Sequence, residues 1–516
     1  MLSSIRDVQK LILKREINVT ELCNRALKRI EETRGLNAFI TECKSEDILN
    51  EAKLLDKKLK EITSLSATSP LFGVPISIKD NFCTKRLLTT CGSRMLHNFI
   101  PPYDATVVSK LEQAGCIIMG KTNMDEFAMG SSCTTSYYKP AANSWKGEHL
   151  LDRDIKNHSL SNDWYIAGGS STGSAISVAT GACFGSIGTD TGGSTRQPAS
   201  LTGIVGFKPT YGLISRHGLI PLVHCLDVVS LLARTVRDIE LLFNAVIGQD
   251  ANDLTTVDHT KELKQNLANI ERPIRIGIPQ EFIETGELSE DVEERFGDIV
   301  KMLSSSNRMS HVTVEVVDVK LPHTSLATEC YTVISNAEIS SNMSCYDGVK
   351  YGFSVQPTVD ESSGFARDAF FKMNRDLGFG AEVKKRILLG NYFLLEENRE
   401  KYLVQALKLR RLISEDFSRA FESNQVDVLL MPATPTTSIQ YSEWLRKQDC
   451  NKLFREDYYL IPANLANMPS ISLPCGLSKN SLPIGIQLVG NRFYDLDLLR
   501  ISELFERHVL SKFTCS

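Results

Sequence analysis

Residues 70–119 contain an apolar strand, a helix and a second apolar strand in succession, and this order constrains the fold more than any other feature of the chain. In the first strand, which we predict to end at Ile78, aliphatic residues alternate with other types. The pattern predicts a helix over 104–114, with Asp104 as its N-cap, and a short buried strand over 116–119. Strand–helix–strand order is typical of α/β proteins, so we predict an α/β fold with a mixed β-sheet.

The rest of the chain continues the same alternation. Further strands are predicted over 274–278, 312–319, 426–431 and 484–489. Helices are predicted over 174–182, 288–304 and 381–423, and as a pair within 4–33. Because no internal repeat or low-complexity linker divides these elements, we expect a single domain over residues 1–516, with a largely helical excursion at about 245–430.

The composition excludes several classes of protein. The chain has 516 residues, of which 42% are hydrophobic and 23% charged, as expected of a globular protein with a large core. A net charge of −4 and the lack of a basic tract predict no direct nucleic-acid surface. The thirteen cysteines form no C-x-x-C pair, so we expect free thiols and no metal site. The sequence has no apolar run of about 18 residues, so no transmembrane helix is expected.

A glycine-rich turn over 189–196 places Ser194 directly after two glycines. A serine beside free backbone N–H groups can act as a nucleophile next to an oxyanion hole. The N–H groups of Thr191, Gly192 and Gly193 are the candidate donors, because glycine allows the close approach that an oxyanion needs. The alternative interpretation of the same pattern is an ordinary Gly/Ser loop.

A second glycine-rich turn, over 167–174, contains Ser170. A lysine cannot easily reach a nucleophile and a leaving group at once, and a serine placed between them can relay the proton. Ser170 is therefore a candidate relay for Ser194. The alternative is a helix N-cap, because a helix rich in small residues is predicted to follow this turn.

Lys79 directly follows the first apolar strand and is the candidate base. A base needs a lone pair, so Lys79 must be uncharged when it acts. Burial can lower the pKa of a lysine by up to about 3–5 units, and the strand makes burial plausible. The alternative is a surface lysine that pairs with the adjacent Asp80.

These three elements together resemble the amidase signature family. The resemblance is carried by residues 73–80, 188–196 and 203–212, and it covers nearly the whole chain. It implies a large mixed central β-sheet that is covered by helices on both faces.

The resemblance also implies a Ser–Ser–Lys triad with a role for each member. Ser194 would be the nucleophile that forms the acyl-enzyme. Ser170 would be the bridging serine, with a cis peptide bond before it. Lys79 would be the base that receives the proton.

Within that family, the chain resembles the A subunits of glutamyl-tRNA(Gln) amidotransferases. This likeness is carried by residues 121–130, 340–348 and 378–387. It implies that the chain hydrolyses glutamine and supplies ammonia to partner B and C subunits in a heterotrimer. Glu-tRNA(Gln) would be held mainly by the B subunit, and ATP and Mg²⁺ would be used there. No cofactor is implied for this chain.

The same resemblance implies how glutamine would be held. Arg386 would grip the α-carboxylate, because a guanidinium can form a forked, charge-assisted pair with it. Asp457 would meet the α-ammonium group, and Tyr331 would line the pocket. The alternatives are an arginine on a helix surface, a solvated aspartate in a loop and a tyrosine in the core.

The chain departs from the family pattern at three places. Thr172 stands where glycine is common, and His-Cys stands at 224–225 where the bacterial subunits have a serine pair. A polar excursion at 141–163, expected at the surface, replaces a shorter connection. These departures favour an organellar form, so we expect the mitochondrial matrix, with the cytoplasm as the alternative.

Two other functions remain open from the sequence. The first is a free-standing amidase that hydrolyses another carboxylic amide without partner subunits. The second is a scaffold subunit that keeps the fold without turnover. A nucleotide-binding function is set aside, because neither glycine turn has the Gly-Lys-Ser/Thr ending or a G-x-G-x-x-G pattern with a downstream acid.

Overall fold

The structure is a computed structural model. It describes residues 4–61, 69–145, 163–264, 272–306, 308–309, 312–355, 366–446 and 457–514. Most of the predicted excursion at 141–163 lies outside the described residues. Its first residues are described, and Ala141, Ala142 and Asn143 are buried rather than at the surface.

One mixed β-sheet runs through the described part of the chain and contains twelve strands. The strands are β1 Phe39–Glu42, β2 Pro75–Lys79, β3 Ile117–Thr122, β4 Gly185–Asp190, β5 Val205–Lys208, β6 Val228–Ala233, β7 Ile274–Pro279, β8 Arg308–Met309, β9 Val312–Val319, β10 Val428–Pro432, β11 Ser470–Leu477 and β12 Pro483–Gly490. Their order across the sheet is β1-β3-β2-β4-β6-β5-β11-β12-β10-β7-β9-β8.

Helices connect and cover these strands. They are α1 Ile5–Leu13, α2 Val19–Glu32, α3 Ser45–Glu61, α4 Thr106–Gln113, α5 Thr172–Ala179, α6 Arg196–Thr202, α7 Val236–Val246, α8 His259–Glu262, α9 Glu290–Ser306, α10 Ala327–Met343, α11 Ala366–Gly378, α12 Ala381–Leu394, α13 Glu396–Arg399, α14 Gln405–Ser418, α15 Tyr441–Arg446, α16 Ile461–Leu465, α17 Asp495–Phe505 and α18 Ser511–Thr514. None of these helices, within the described ranges, combines the length and apolar character needed to cross a bilayer.

The sheet is buried on both faces because its strands carry apolar residues in consecutive positions. Leu231 and Leu232 of β6 point to opposite faces and enter separate apolar clusters. Leu430 and Leu429 of β10 divide in the same way. Helices α4, α7, α9 and α17 cover one face, whereas α5, α6, α10 and α14 cover the other. The predicted large mixed sheet with helices on both faces is therefore confirmed.

Most predicted elements are present, with ends shifted by a few residues. All four further strands are observed as β7, β9, β10 and β12, and the pattern over 381–423 contains α12, α13 and α14. The predicted N-cap of α4 is wrong. Ala105 precedes that helix, and Asp104 instead accepts a hydrogen bond from the Lys85 N–H at 2.7 Å.

The predicted helical excursion at about 245–430 has two parts in the structure. Residues 274–319 contribute β7, β8 and β9 to the sheet. The helices α10 to α14 follow between 327 and 418. The single-domain assignment over 1–516 stays a prediction.

Candidate active site

Lys79 lies at the end of strand β2, which is the third strand from one edge of the sheet. Strands β2 and β4 are parallel neighbours, with Ile78 opposite Ile187. Their carboxyl ends therefore lie at the same edge of the sheet, where active sites of α/β folds commonly form. Ile78 packs into the core on one face, and Lys79 points to the other face, because side chains alternate along a strand.

The Lys79 amine is fully buried and is surrounded by hydroxyl groups. Its Nζ lies 2.8 Å from Ser170 Oγ, 2.9 Å from Ser171 Oγ and 2.8 Å from Thr189 Oγ1. The Ser171 hydroxyl donates to the Thr189 carbonyl oxygen at 3.1 Å, so it is placed to accept from the lysine. An uncharged amine has two protons and one lone pair, and this arrangement leaves Ser170 able to donate to that lone pair.

Burial lowers the pKa of Lys79 to about 7. Three carboxylates oppose this shift, since Asp125, Asp190 and Asp227 favour the charged ammonium. Burial is the larger effect, so a substantial fraction of the lysine is uncharged near neutral pH. The alternative of an exposed lysine paired with Asp80 is excluded, because the Lys79 side chain is fully buried and Asp80 pairs with Lys121 at 3.4 Å.

Ser170 lies at the turn that leads into α5. The peptide bond between Gly169 and Ser170 is cis, as the family resemblance implied. The Ser170 side chain is fully buried. The neighbouring Ser171 N–H donates to the Ser194 carbonyl oxygen at 3.0 Å, which ties the two glycine turns together.

Asp190 at the end of β4 organises the turn that carries Ser194. Its carboxylate accepts from the N–H groups of Gly193 at 2.9 Å and Thr195 at 3.2 Å. It also forms a buried, bidentate pair with Arg196, with both N–O distances at 2.9 Å. Burial alone would raise the pKa of Asp190, but the charge and hydrogen bonds of Arg196, with smaller contributions from Lys208 and Asn464, hold it well below its usual range.

Arg196 extends this network to the last third of the chain. Its guanidinium donates to the Leu460 carbonyl oxygen at 3.1 Å, to Asn464 Oδ1 at 2.5 Å and to Gln487 Oε1 at 2.5 Å. Leu460 directly follows the short helical turn that begins at Asp457. The turn of the candidate nucleophile is therefore held against the segment that carries a predicted substrate-binding residue.

The structure reduces the number of candidate N–H donors in the predicted oxyanion hole. The Gly193 N–H is committed to Asp190 Oδ1, so the prediction of Gly193 as a free donor is wrong. No acceptor within the described part of the chain engages the N–H groups of Thr191 or Gly192. The Thr191 side chain is held separately, because its hydroxyl donates to Asp227 Oδ1 at 2.8 Å. Thr191 and Gly192 therefore remain the predicted donors.

A cavity of about 360 Å³ brings the candidate nucleophile and the predicted substrate-binding residues together. Ser194, Tyr331, Arg386 and Asp457 all line it, although they lie far apart in the sequence. Arg386 and Asp457 therefore lie at a cavity wall, and Tyr331 lines the same cavity while also packing against an apolar cluster, as the alternative of a core tyrosine expected. The remaining lining residues include Gly169, Gly192, Glu382, Lys385, Trp444 and Ile461.

Tyr331 and Arg386 reach the cavity from neighbouring helices. The Tyr331 ring lies against Gly192, where a Cβ would be 2.9 Å from the ring, so a larger residue at 192 would displace the ring. Burial raises the pKa of Tyr331, which keeps the phenol protonated as a hydrogen-bond donor. The Arg386 Nε donates to Glu382 Oε1 at 2.8 Å within α12, and this pair orients the guanidinium along the cavity wall.

The loop 128–135 forms a wall of the cavity that no prediction from the sequence assigned. Asp125 holds this loop, because its carboxylate accepts from the N–H groups of Ser132 at 3.3 Å and Cys133 at 2.9 Å and from the Thr135 hydroxyl at 2.8 Å. In the sequence, part of this loop was marked only by the family resemblance of residues 121–130, and that resemblance did not indicate that the loop lines the cavity.

A second cavity, of about 370 Å³, shares no lining residue with the first. Its arginines are already paired, since Arg272 binds Asp427 at 2.8 and 2.5 Å and Arg275 lies 3.2 Å from Glu315. Among the described residues, no group of three or more His, Cys, Asp and Glu side chains is placed to share a metal ion. The cavity beside Ser194 is therefore the candidate active site.

The sequence of the chain matches that of a known protein family. The profile of the Amidase family matches residues 21–499. The chain is 41% identical over 514 residues to the A subunit of the mitochondrial glutamyl-tRNA(Gln) amidotransferase of Homo sapiens, covering 98% of this chain and 94% of that protein. It is 44% identical over 489 residues to the protein of the same name from Anopheles gambiae, covering 94% of this chain and 93% of that protein.

Solved structures show the same fold. The A subunit of the Thermotoga maritima glutamyl-tRNA(Gln) amidotransferase is 34% identical and superposes with a TM-score of 0.72, covering 95% of this chain and 91% of that one. The peptide amidase of Stenotrophomonas maltophilia is 25% identical, with a TM-score of 0.72, and covers 98% of this chain and 96% of that one.

Proposed function

Because the chain belongs to the amidase family and, within it, to the A subunits of glutamyl-tRNA(Gln) amidotransferases, we propose that it hydrolyses glutamine and supplies ammonia for the conversion of Glu-tRNA(Gln) to Gln-tRNA(Gln). One observation carries the proposal. The buried amine of Lys79 contacts Ser170, and a backbone hydrogen bond joins the Ser170 turn to the Ser194 turn. Ser194 lines a cavity that Arg386 and Asp457 also line.

The first step forms the acyl-enzyme. Uncharged Lys79 accepts the Ser170 proton, while Ser170 accepts the proton of Ser194. The Ser194 oxygen attacks the side-chain amide carbon of glutamine and forms a new C–O bond. The N–H groups of Thr191 and Gly192 stabilise the oxyanion of the tetrahedral intermediate, an effect of about 3–4 kcal/mol for each donor in comparable sites.

The second step releases ammonia. The carbonyl re-forms, the C–N bond breaks, and the Lys79 ammonium returns its proton through Ser170 to the leaving nitrogen. Water then attacks the ester carbon, with the same relay acting as its base. Glutamate leaves and Ser194 regains its proton, so atoms and protons balance over the cycle.

The cavity wall supports glutamine as the substrate. Arg386 provides a guanidinium for the α-carboxylate, and Asp457 provides a carboxylate for the α-ammonium group. The protonated Tyr331 hydroxyl lies near the charges of these two residues, since both influence its pKa. A pocket whose wall carries both positive and negative side chains suits an amino acid better than an uncharged amide.

The names of the relatives support a proposal for the partners and the location. Proteins 41% identical to this chain carry the names of amidotransferase A subunits and of the mitochondrion. We therefore propose a heterotrimer with B and C subunits, located in the mitochondrial matrix. The B subunit would hold Glu-tRNA(Gln) and use ATP and Mg²⁺, and this chain would need no cofactor of its own.

The test replaces Ser194 by alanine in the assembled complex. Glutamine-dependent formation of Gln-tRNA(Gln) should be lost, whereas formation driven by added ammonium should persist. Loss of both activities would contradict the assignment, because Ser194 would then serve the complex in another way. Hydrolysis of varied amides by the isolated wild-type chain, without preference for glutamine, would indicate a free-standing amidase instead. An active-site serine probe that fails to label Ser194 would indicate a scaffold.

A further inference from the structure

Glu126 lies in a buried junction outside the triad and the cavity lining. Its side chain is 3% exposed. Its carboxylate accepts from the Ser93 hydroxyl at 2.5 Å through Oε1 and from the Gly380 N–H at 2.8 Å through Oε2. A buried carboxylate is costly unless it is well bonded, so its presence here needs a structural reason.

One side of this junction is the beginning of α12. Gly380 is the N-cap residue of that helix, and its N–H points at Glu126. A Cβ at position 380 would overlap Glu126 Oε2, so glycine permits the close approach. The Glu126 oxygen thereby satisfies one of the N–H groups that lack a partner at the start of a helix. Six residues later, the same rigid helix carries Arg386 into the cavity.

The other side of the junction is the loop 128–135. Glu126 lies just before this loop, and its backbone N–H donates to the Thr135 hydroxyl at 3.1 Å near the end of the loop. The backbone of Glu126 therefore holds the loop wall of the cavity, while its carboxylate holds the helix wall.

We propose that Glu126 is a positioning residue that fixes the start of α12 against the loop 128–135 and thereby sets the reach of Arg386 to the substrate α-carboxylate. This inference rests on the proposed function. It assigns Glu126 no contact with the reacting atoms. Its loss should weaken the binding of substrates that carry an α-carboxylate and leave the chemistry of Ser194 intact.

The test compares variants of the full chain in its complex. Glu126→Ala removes both acceptors. Glu126→Gln is the conservative variant, because its amide oxygen can accept from Gly380 while its NH₂ group donates to Ser93. Gly380→Ala disturbs the same contact without changing residue 126. Glu329→Ala, at an exposed glutamate of α10, is the matched control.

Two ligands distinguish a misplaced Arg386 from general damage to the active site. One is glutamine, whose hydrolysis gives kcat and KM. The other is 4-aminobutanamide, which is glutamine without its α-carboxylate, used as a competing ligand. We expect Glu126→Ala and Gly380→Ala each to raise KM for glutamine by roughly tenfold with kcat nearly unchanged. The inhibition constant of 4-aminobutanamide should change by less than about twofold.

The remaining outcomes each decide the question. Retention of a wild-type KM by Glu126→Gln and Glu329→Ala would support the inference. An unchanged KM in Gly380→Ala, or a parallel rise of KM and of the 4-aminobutanamide constant, would overturn it, even if Glu126→Ala fails to fold. A wild-type complex that does not hydrolyse glutamine would overturn the proposed function instead, and the two failures are therefore distinguishable.

Discussion

The Lys79 amine lies 2.8 Å from the Ser170 hydroxyl oxygen, and both side chains are fully buried. A lysine usually keeps its charge by staying in water, and here burial lowers its pKa to about 7. The candidate base and the candidate proton relay are therefore already joined by a hydrogen bond. The consequences for activity and stability can be measured.

The first prediction concerns pH. Below about pH 7 Lys79 carries a proton and cannot act as a base, so kcat/KM for glutamine should fall about tenfold for each pH unit below that value. Above about pH 7 the profile should level off, because the amine is then uncharged. The profile is measured with glutamine and the assembled complex. Lys79→Arg, which stays charged, should be inactive throughout, and a wild-type profile that is flat from about pH 5.5 to 8.5 would contradict this role.

The second prediction separates the two adjacent serines. Ser170→Ala removes the relay and should lower kcat for glutamine by about 10²–10⁴-fold. Ser171→Ala should cost less than about tenfold, because the Ser171 proton is committed to the Thr189 carbonyl oxygen and is not part of the relay. Steady-state kinetics give kcat for both variants, and their melting temperatures show whether each variant is folded. An equal loss in the two variants would argue against Ser170 as the specific bridge.

The third prediction concerns substrate binding by Arg386. Arg386→Lys keeps a positive charge but loses the forked geometry and the Nε contact with Glu382. KM for glutamine should rise by about 10- to 100-fold, with a smaller change in kcat. Lys385→Gln, at the neighbouring cation of the same wall, serves as the control and should change KM by less than about threefold. A larger rise of KM in Lys385→Gln than in Arg386→Lys would indicate that Lys385, and not Arg386, binds the α-carboxylate.

The fourth prediction concerns stability. Asp190→Asn leaves the Arg196 charge buried without its partner, and the free energy of unfolding should fall by about 3–5 kcal/mol. The measurement is urea unfolding of the purified chain. Glu415→Gln removes an exposed partner of Arg411 on α14 and should cost less than about 1 kcal/mol, because water replaces that contact. Similar losses in the two variants would mean that the Asp190–Arg196 pair does not stabilise the site.

The strands that the sequence revealed are those with their own apolar pattern. Strand β9 shows such a pattern over 312–319 and was predicted with its observed bounds. Strand β4 was missed, because its sequence Gly-Ser-Ile-Gly-Thr-Asp has only one large apolar residue. Small residues are needed there, since Gly188 lies against Ser171 and Thr195 so closely that a Cβ would lie within 3.0 Å of both side chains. Local patterns therefore conceal the strand that carries the active-site turn.

The identity of the reactive side chains could be inferred from residue order. Residue type and local setting made two serines in glycine turns and a lysine after an apolar strand candidates, and the family resemblance implied that they form a triad. The neighbours that surround the triad became known from the folded chain. The pairing of β2 with β4 brings Thr189 to Lys79, and the Asp190 carboxylate takes the Gly193 N–H away from the oxyanion hole. Such contacts join residues distant in the sequence or depend on the exact path of a turn, and hydrogen bonds of this kind depend on distances and angles that residue order alone does not specify.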